Sequence, residues 1–600
     1  MKCTTLNQPI KLYEEFSDRY RSKAQQLCEH LIEDTNNFHY SSNQPIELMQ
    51  INNELVIHFK DDLSRYIHLC KKPIGRISGF YINSEKTIAA LLTQMPKTDF
   101  YTISLYELKK QSANILLRRN NVLPQIRTTY HSIYWINKSK SNRPYKLMMA
   151  NKCGIIEVCG TNSGYDILSF VCSNDAVIVI KMMHGDNSRL LFFDDFGERD
   201  TRFKEITSSL AIDSMEITNT LLYAIVNSQL LIINFFTDIH DRQMIQSPHG
   251  FIPKSLQKRN GIVYVIGRLS GDSAIWIPSL GQNGIWKAPP CGVISFLGFR
   301  DRFPVFCISS PIHQTQIVTG NREGFLEAVS STPNIHCRKI IIRSRDQTNI
   351  PITLFYRLDS ILEQSPILLM AYGCYGIALE GAYDRLISYV IQSGITVAFC
   401  HIRGGGEYGE EWHRQAIKNN KFISINDFLD CTKGLIANNL CDAKRIGAAG
   451  SSAGALVVLS AALRRPDYFK IVQLSHPFLT PELILTNPDN PLTISDWDEF
   501  GYPSSSSCYD SFSPLAQLRR LPADFSNQAP DIWITAGKND IKAPLLYTEQ
   551  WLNSYSAIVP SAHNSVFLQL LDEGHHNSDD SLTGGCLSTI WLLDSLFDTD

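Results

Sequence analysis

The chain changes its pattern once, near residue 338, and that change limits the folds open to it more than any other feature. From about residue 50 to 335 it runs through short β-rich segments, among them ELVIHF, FYTISLYEL, SIYWI, AVIVIK, LLIINFF and GIVYVIG, each cut off by Gly, Asn, Asp, Ser or Pro. Helical spacing of apolar residues is nearly absent there. One four-stranded propeller blade takes about 40–45 residues, so the stretch predicts about six to seven blades; a stack of sandwiches is the alternative, since no sharp repeat motif recurs. After residue 338, strands alternate with helices. PILLMAY, ending at Tyr372, ITVAFCHIR (Ile395 to Arg403), DIWITAG (Asp531 to Gly537) and VFLQLLD (Val566 to Asp572) read as buried strands of a mostly parallel sheet. The expected organisation is a β-propeller over 49–337 and a doubly wound α/β domain over 338–600. Residues 1–48 carry an amphipathic helical pattern in EEFSDRYRSKAQQLCEHLIED but are too few for their own core, so they are expected to pack on the α/β domain.

Bulk charge removes whole classes of partner. With 56 Lys+Arg against 59 Asp+Glu the net charge is -3, which offers neither nucleic acid nor anionic lipid an attractive surface. MKCTTLNQPIKLYEEF has no apolar run behind its lysine, and no apolar stretch of about 18 residues occurs, so neither a signal peptide nor a membrane span is expected. Fifteen cysteines without a CxxC pair, and a Cys153, Cys159, Cys172 group whose spacing fits no common zinc site, predict free thiols in a reducing, cytoplasmic setting. His184 and His249 show no metal spacing either, and no cofactor is expected.

Chemistry is signalled by RIGAAGSSAGALVVLSAAL. Gly450-Ser451-Ser452-Ala453-Gly454 is a G-x-S-x-G pattern between a short strand and a helix-forming run, with Ser452 central. Small neighbours suit a strained strand-to-helix turn, and the helix start aims N–H groups at a developing oxyanion. An acid and a base follow in the α/β-hydrolase order: Asp540 after DIWITAG and His575 after VFLQLLD, with the adjacent His576 the alternative base. All three fall at carboxyl ends of strands, where open α/β sheets gather ligands. The HIRGGGEYGEEW segment lacks a GK[ST] ending and reads as a Gly-rich active-site loop, not a phosphate cradle.

The region from about Arg338 to Ser595 resembles the prolyl oligopeptidase family of serine peptidases, most of all oligopeptidase B and prolyl endopeptidase-like proteins. The resemblance rests on AYGCYG (Ala371 to Gly376), HIRGGGEYGEEWH (His401 to His413), GSSAGA around Ser452, RRPDYF (Arg464 to Phe469), PLTISDWDEFGYP (Pro491 to Pro503), GKNDIKAPL and EGHH, in order. It implies an α/β-hydrolase catalytic domain with a seven-bladed propeller acting as a steric filter, so that only short peptides are cleaved. It further implies Ser452 as nucleophile, His575 as general base and Asp540 as its orienting carboxylate, with Tyr372 and the N–H of Ala453 as the oxyanion donors. Asp496 and Asp498 align with the paired acids of a pocket for Arg or Lys, and Glu380 with one of a second pair whose other member is Ala382. Cleavage after basic residues by a monomer or small homo-oligomer is the resulting expectation. Hydrolysis of esters or thioesters by the same triad, and a binding protein with an idle triad, are the alternatives.

Overall fold

The computed structural model of the protein describes residues 10–12, 46–51, 54–59, 62–71, 76–95, 98, 100–109, 112–139, 144–161, 167–172, 177–184, 187–194, 204–210, 212–218, 221–226, 229–234, 242–259, 261–300, 302–320, 334–487, 490, 493–503, 509–559, 566–572 and 581–598. The expected N-terminal helix lies outside these residues. The chain divides into two compact units, one of Met1–Asn36, Pro248–Ile252 and Gly267–Asp600, the other of Asn37–Ser247 and Pro253–Ile266.

The second unit is built of antiparallel sheets, as its short alternating segments require. Strands Ile46–Ile51, Glu54–Phe59 and Asp62–Lys71 form one sheet, and those from Ile167–Cys172 to Lys204–Leu210 and from Ile212–Ile217 to Arg242–Ile245 form two more. A further sheet of seven strands has the 16-residue strand Ala113–Thr128 at its centre, the first half pairing with Tyr101–Leu108 and the second with Ile133–Lys138. Side chains show how the sheets stack. On Ile88–Gln94, residues Ile88, Ala90 and Leu92 enter one core while Ala89 and Leu91 enter the next, so this sheet is covered on both faces like a propeller blade.

The first unit is organised by a nine-stranded sheet. Its strands are β1 (Ile10–Leu12), β2 (Ile335–Arg343), β3 (Asn349–Arg357), β4 (Ile367–Met370), β5 (Thr396–Cys400), β6 (Ile446–Ser451), β7 (Ile471–Ser475), β8 (Asp531–Gly537) and β9 (Val566–Leu571), in the order β1-β9-β8-β7-β6-β4-β5-β3-β2. β4 to β9 and β1 pair in parallel; β2 and β3 add antiparallel pairings at one edge. Alternation splits the apolar residues between two faces: Ile532 and Ile534 join one core, Trp533 the other. Helices α1 (Arg385–Gln392) and α6 (Ser581–Phe597) cover the second face, while α2 (Phe422–Ala437), α3 (Ala453–Arg464) and α5 (Leu545–Ile558) cover the first. Strand order reverses between β4 and β6. Loops leaving that pair diverge and open a crevice at their carboxyl ends, which is where Tyr372 and Ser452 stand.

Candidate active site

Ser452 occupies a sharp turn between β6 and α3, with φ 51° and ψ -123°. A side chain in this region stores about 1–3 kcal/mol of strain, which persists only when the surroundings fix the backbone. They do so from both sides: Ser452 N–H donates to the Ser475 carbonyl at 2.9 Å, and its own carbonyl accepts from Ala455 and Phe478, each at 3.1 Å. The flanking glycines are obligatory. A Cβ at Gly450 would stand 2.8 Å from the Gly454 carbonyl oxygen, and one at Gly454 would stand 2.9 Å from that of Ala371. Ala453 is the first residue of α3, so its N–H lies in the helical turn that lacks intrahelical acceptors.

Tyr372 follows β4, and its phenol is within electrostatic reach of the Ser452 side chain. Burial pushes its phenol well above the usual range, so it stays a donor at neutral pH. The tyrosine turn rests on the Gly-rich loop, and the fit explains that loop's composition: a Cβ at Gly404 would come 2.1 Å from the Gly373 carbonyl oxygen, and one at Gly406 would come 2.0 Å from that of Gly376. Arg403 anchors the loop to α2 through two bonds to Asp427, Nε to Oδ2 at 2.8 Å and Nη2 to Oδ1 at 2.6 Å. A cavity of about 290 Å³ lies between the sheet and helices α1 and α6, lined by Met370, Tyr372, Ser451, Ile387, Ser588 and Leu592 among others; Ser452 is not part of its lining.

Asp540 lies just past β8 and is buried. Its Oδ1 accepts the N–H groups of Lys542 at 2.8 Å and Ala543 at 2.9 Å, a local turn that fixes the carboxylate. β9 ends at Leu571; His575 and the alternative His576 lie outside the described residues.

The acidic segment is a helix, α4 (Thr493–Phe500), and this decides how its carboxylates point. Two residues apart on a helix means about 200° around the axis, so Asp496 is buried while Asp498 is exposed. Three apart is the same face, and there stands Glu499, which the sequence reading missed. The two buried acids differ in their surroundings. Glu499 binds the fully buried Lys421 ammonium through Oε1 and His413 Nε2 through Oε2 at 2.7 Å. These cations hold its carboxyl below the ordinary value despite burial. Among the described residues, Asp496 has the Tyr375 hydroxyl, donating to Oδ1 at 3.1 Å, and burial with Glu499 nearby pushes it up to about 7. The Tyr372 phenol feels both carboxylates as well as Ser452.

Lys421 also donates to the Gly373 carbonyl at 2.9 Å, tying the tyrosine turn to α4. Its Nζ lies 3.6 Å from Cys374 Sγ, yet burial still drives that thiol up to about 12. Cys374 is a packed, unreactive neighbour of Tyr372. Glu380 is ion-paired with Arg268.

Residues 382–584 match the model of the prolyl oligopeptidase family. Among similar proteins, the prolyl endopeptidase-like protein of Gallus gallus is 28% identical over 248 residues, 40% of this chain and 34% of that protein. Dipeptidyl aminopeptidase BI of Pseudoxanthomonas mexicana is 32% identical over 185 residues, 30% of this chain and 26% of that one. The matched segments therefore span about a third or less of these curated relatives. The structure of oligopeptidase B from Leishmania major superposes with a TM-score of 0.79 at 17% identity, covering 98% of this chain and 91% of that one, which extends the shared fold to the propeller region. The chain is thus similar to the prolyl oligopeptidase family over residues 382–584, and its α/β-hydrolase and propeller architecture is the fold of oligopeptidase B.

Proposed function

We propose that the protein is a serine oligopeptidase that hydrolyses short peptides after Arg or Lys, with Ser452 as nucleophile, His575 as base and Asp540 orienting the base. The observation that carries the reading is the strained Ser452 turn at the switch point of the sheet, with Tyr372 beside it. In this mechanism the imidazole takes the Ser452 proton as the hydroxyl attacks the scissile carbonyl. The Tyr372 hydroxyl and the Ala453 N–H then receive the charge that develops on oxygen. Collapse expels the amine, which takes the proton back from the imidazolium, and water repeats the sequence to release the acyl group. Tyr372→Phe removes one donor and is expected to lower kcat about 100- to 1000-fold with KM little changed. A fall in kcat below threefold would exclude an oxyanion role.

Basic specificity is assigned to Asp496. Lys421 and His413 neutralise Glu499, which leaves Asp496 as the carboxylate to meet an incoming cation. A charged hydrogen bond is worth about 1.5–3 kcal/mol, or about 10- to 100-fold in preference for Arg over a neutral isostere such as citrulline. Only the ionised carboxylate gives this gain. The Arg/citrulline ratio of kcat/KM should therefore fall as pH drops below about 7 and level off above it. Using the ratio cancels the titration of the base, which both substrates share. Asp496→Asn should flatten the profile and erase the preference, whereas Asp498→Asn should leave both intact. An unchanged ratio in Asp496→Asn would refute the assignment.

A further inference from the structure

Away from Ser452, the first unit buries a second row of nucleophile, imidazole and carboxylate. Cys291 Sγ lies 3.7 Å from Nε2 of His401, the residue immediately after β5. The same nitrogen is 2.8 Å from Thr353 Oγ1, and Nδ1 on the other side of the ring is 3.3 Å from Glu407 Oε1. Glu407 Oε1 also accepts the Leu379 N–H at 2.8 Å, while its Oε2 is buried with no hydrogen-bond partner among the described residues. Cys291, His401 and Glu407 are 4%, 7% and 3% exposed. Cys291 itself sits at φ 53°, uncommon for a residue with a side chain, and its carbonyl accepts the Gly381 N–H at 3.0 Å. We infer that these three residues form a base-activated thiol site at which Cys291 reacts with small electrophiles and peroxides.

Several observations support the assignment together. Burial alone would drive His401 toward its neutral form, yet Cys291 and Glu407 outweigh it and hold the imidazole up to about 10. Glu407, equally buried, is kept below the ordinary carboxylate value, chiefly by His401. The imidazole thus has a carboxylate at one nitrogen and, at the other, the Cys291 sulfur beside the Thr353 hydroxyl, which places a base within reach of a thiol proton. Cys337 and Cys441 are pushed up to about 12 by burial. At 4% exposure Cys291 is closed to a peptide, so the reactants considered are molecules of a few atoms. With hydrogen peroxide, the Cys291 thiolate attacks one oxygen and a sulfur–oxygen bond forms as the O–O bond breaks. The departing hydroxide takes the imidazolium proton and leaves as water; sulfur is oxidised to the sulfenic acid and the peroxide is reduced. With iodoacetamide, sulfur displaces iodide.

The site can be read without any turnover. Native protein is treated with iodoacetamide, or with hydrogen peroxide followed by a sulfenate trap, and each cysteine is followed by peptide mass spectrometry. Cys441, 5% exposed, is a standard matched to Cys291 in burial. Cys291 is expected to be modified at least tenfold faster than Cys441. His401→Gln and Glu407→Gln are expected to slow Cys291 at least fivefold while leaving the exposed Cys153 unchanged. Equal rates at Cys291 and Cys441 in the wild-type protein would overturn the proposal, and that comparison decides the matter if a variant fails to fold. So would an unaltered Cys291 rate in both variants when Cys441 remains slow. Repeating the labelling in Ser452→Ala protein keeps this test separate from the peptidase reading, since neither outcome depends on Ser452.

Discussion

Replacing Ser452 by alanine is expected to lower kcat by about a million-fold and to abolish labelling by a fluorophosphonate, with no loss of fold. The size follows from the division of labour in such a site. Without the hydroxyl there is no acyl-enzyme, and what remains is the rate that oriented water and the oxyanion donors can sustain. Stability is separable from chemistry here. Alanine at φ 51° carries the same backbone strain as serine, and the bonds that lock the turn use backbone atoms only. Tm should therefore stay within about a degree of wild type. Ser452→Gly makes the sharper control, because glycine relieves about 1–3 kcal/mol of strain and costs about 0.5–1 kcal/mol of chain entropy. It should be as inactive as alanine and somewhat more stable than wild type. Equal fluorophosphonate labelling of wild-type and Ser452→Ala protein would remove Ser452 from the mechanism.

How much of this was legible in the sequence depends on the range of the forces involved. The α/β sheet announced itself because strands such as PILLMAY and DIWITAG are buried on both faces and must be apolar throughout; β4 and β8 fall within them. The Ser452 turn was legible because close backbone approach leaves room only for small residues, a steric demand written directly into Gly450 and Gly454. The acidic pocket was not. SDWDEF has no periodic apolar pattern to fix its secondary structure, and reading it as a helix changes the partner of Asp496 from Asp498 to Glu499. The neutralisation of Glu499 was further out of reach, because Lys421 and His413 come to it from 78 and 86 positions away. Pairing at such distances is set by topology, which residue types alone do not encode. The Cys291–His401 contact, 110 positions apart, was hidden for the same reason.

Asp540→Asn is expected to lower kcat about ten-thousand-fold while leaving KM and Tm close to wild type. The structure makes this substitution unusually clean. Oδ1 carries the two bonds that hold the turn, from the N–H groups of Lys542 and Ala543, and an asparagine keeps an oxygen at that position. The change falls on the other arm, where an acceptor becomes an NH₂ donor. If that arm meets the imidazole of His575, it can no longer accept the Nδ1 proton, and the ring is held in the tautomer whose Nε2 bears hydrogen and cannot take one from Ser452. Asp540→Ala removes both arms at once and should add a loss of stability from the two backbone N–H groups left unpaired in a buried turn, about 1–3 kcal/mol each at most. Comparing the pair thus separates holding the loop from tuning the base. A loss below tenfold in folded Asp540→Asn would mean that another carboxylate orients the imidazole, and Asp540 would then be only the cap of its own turn.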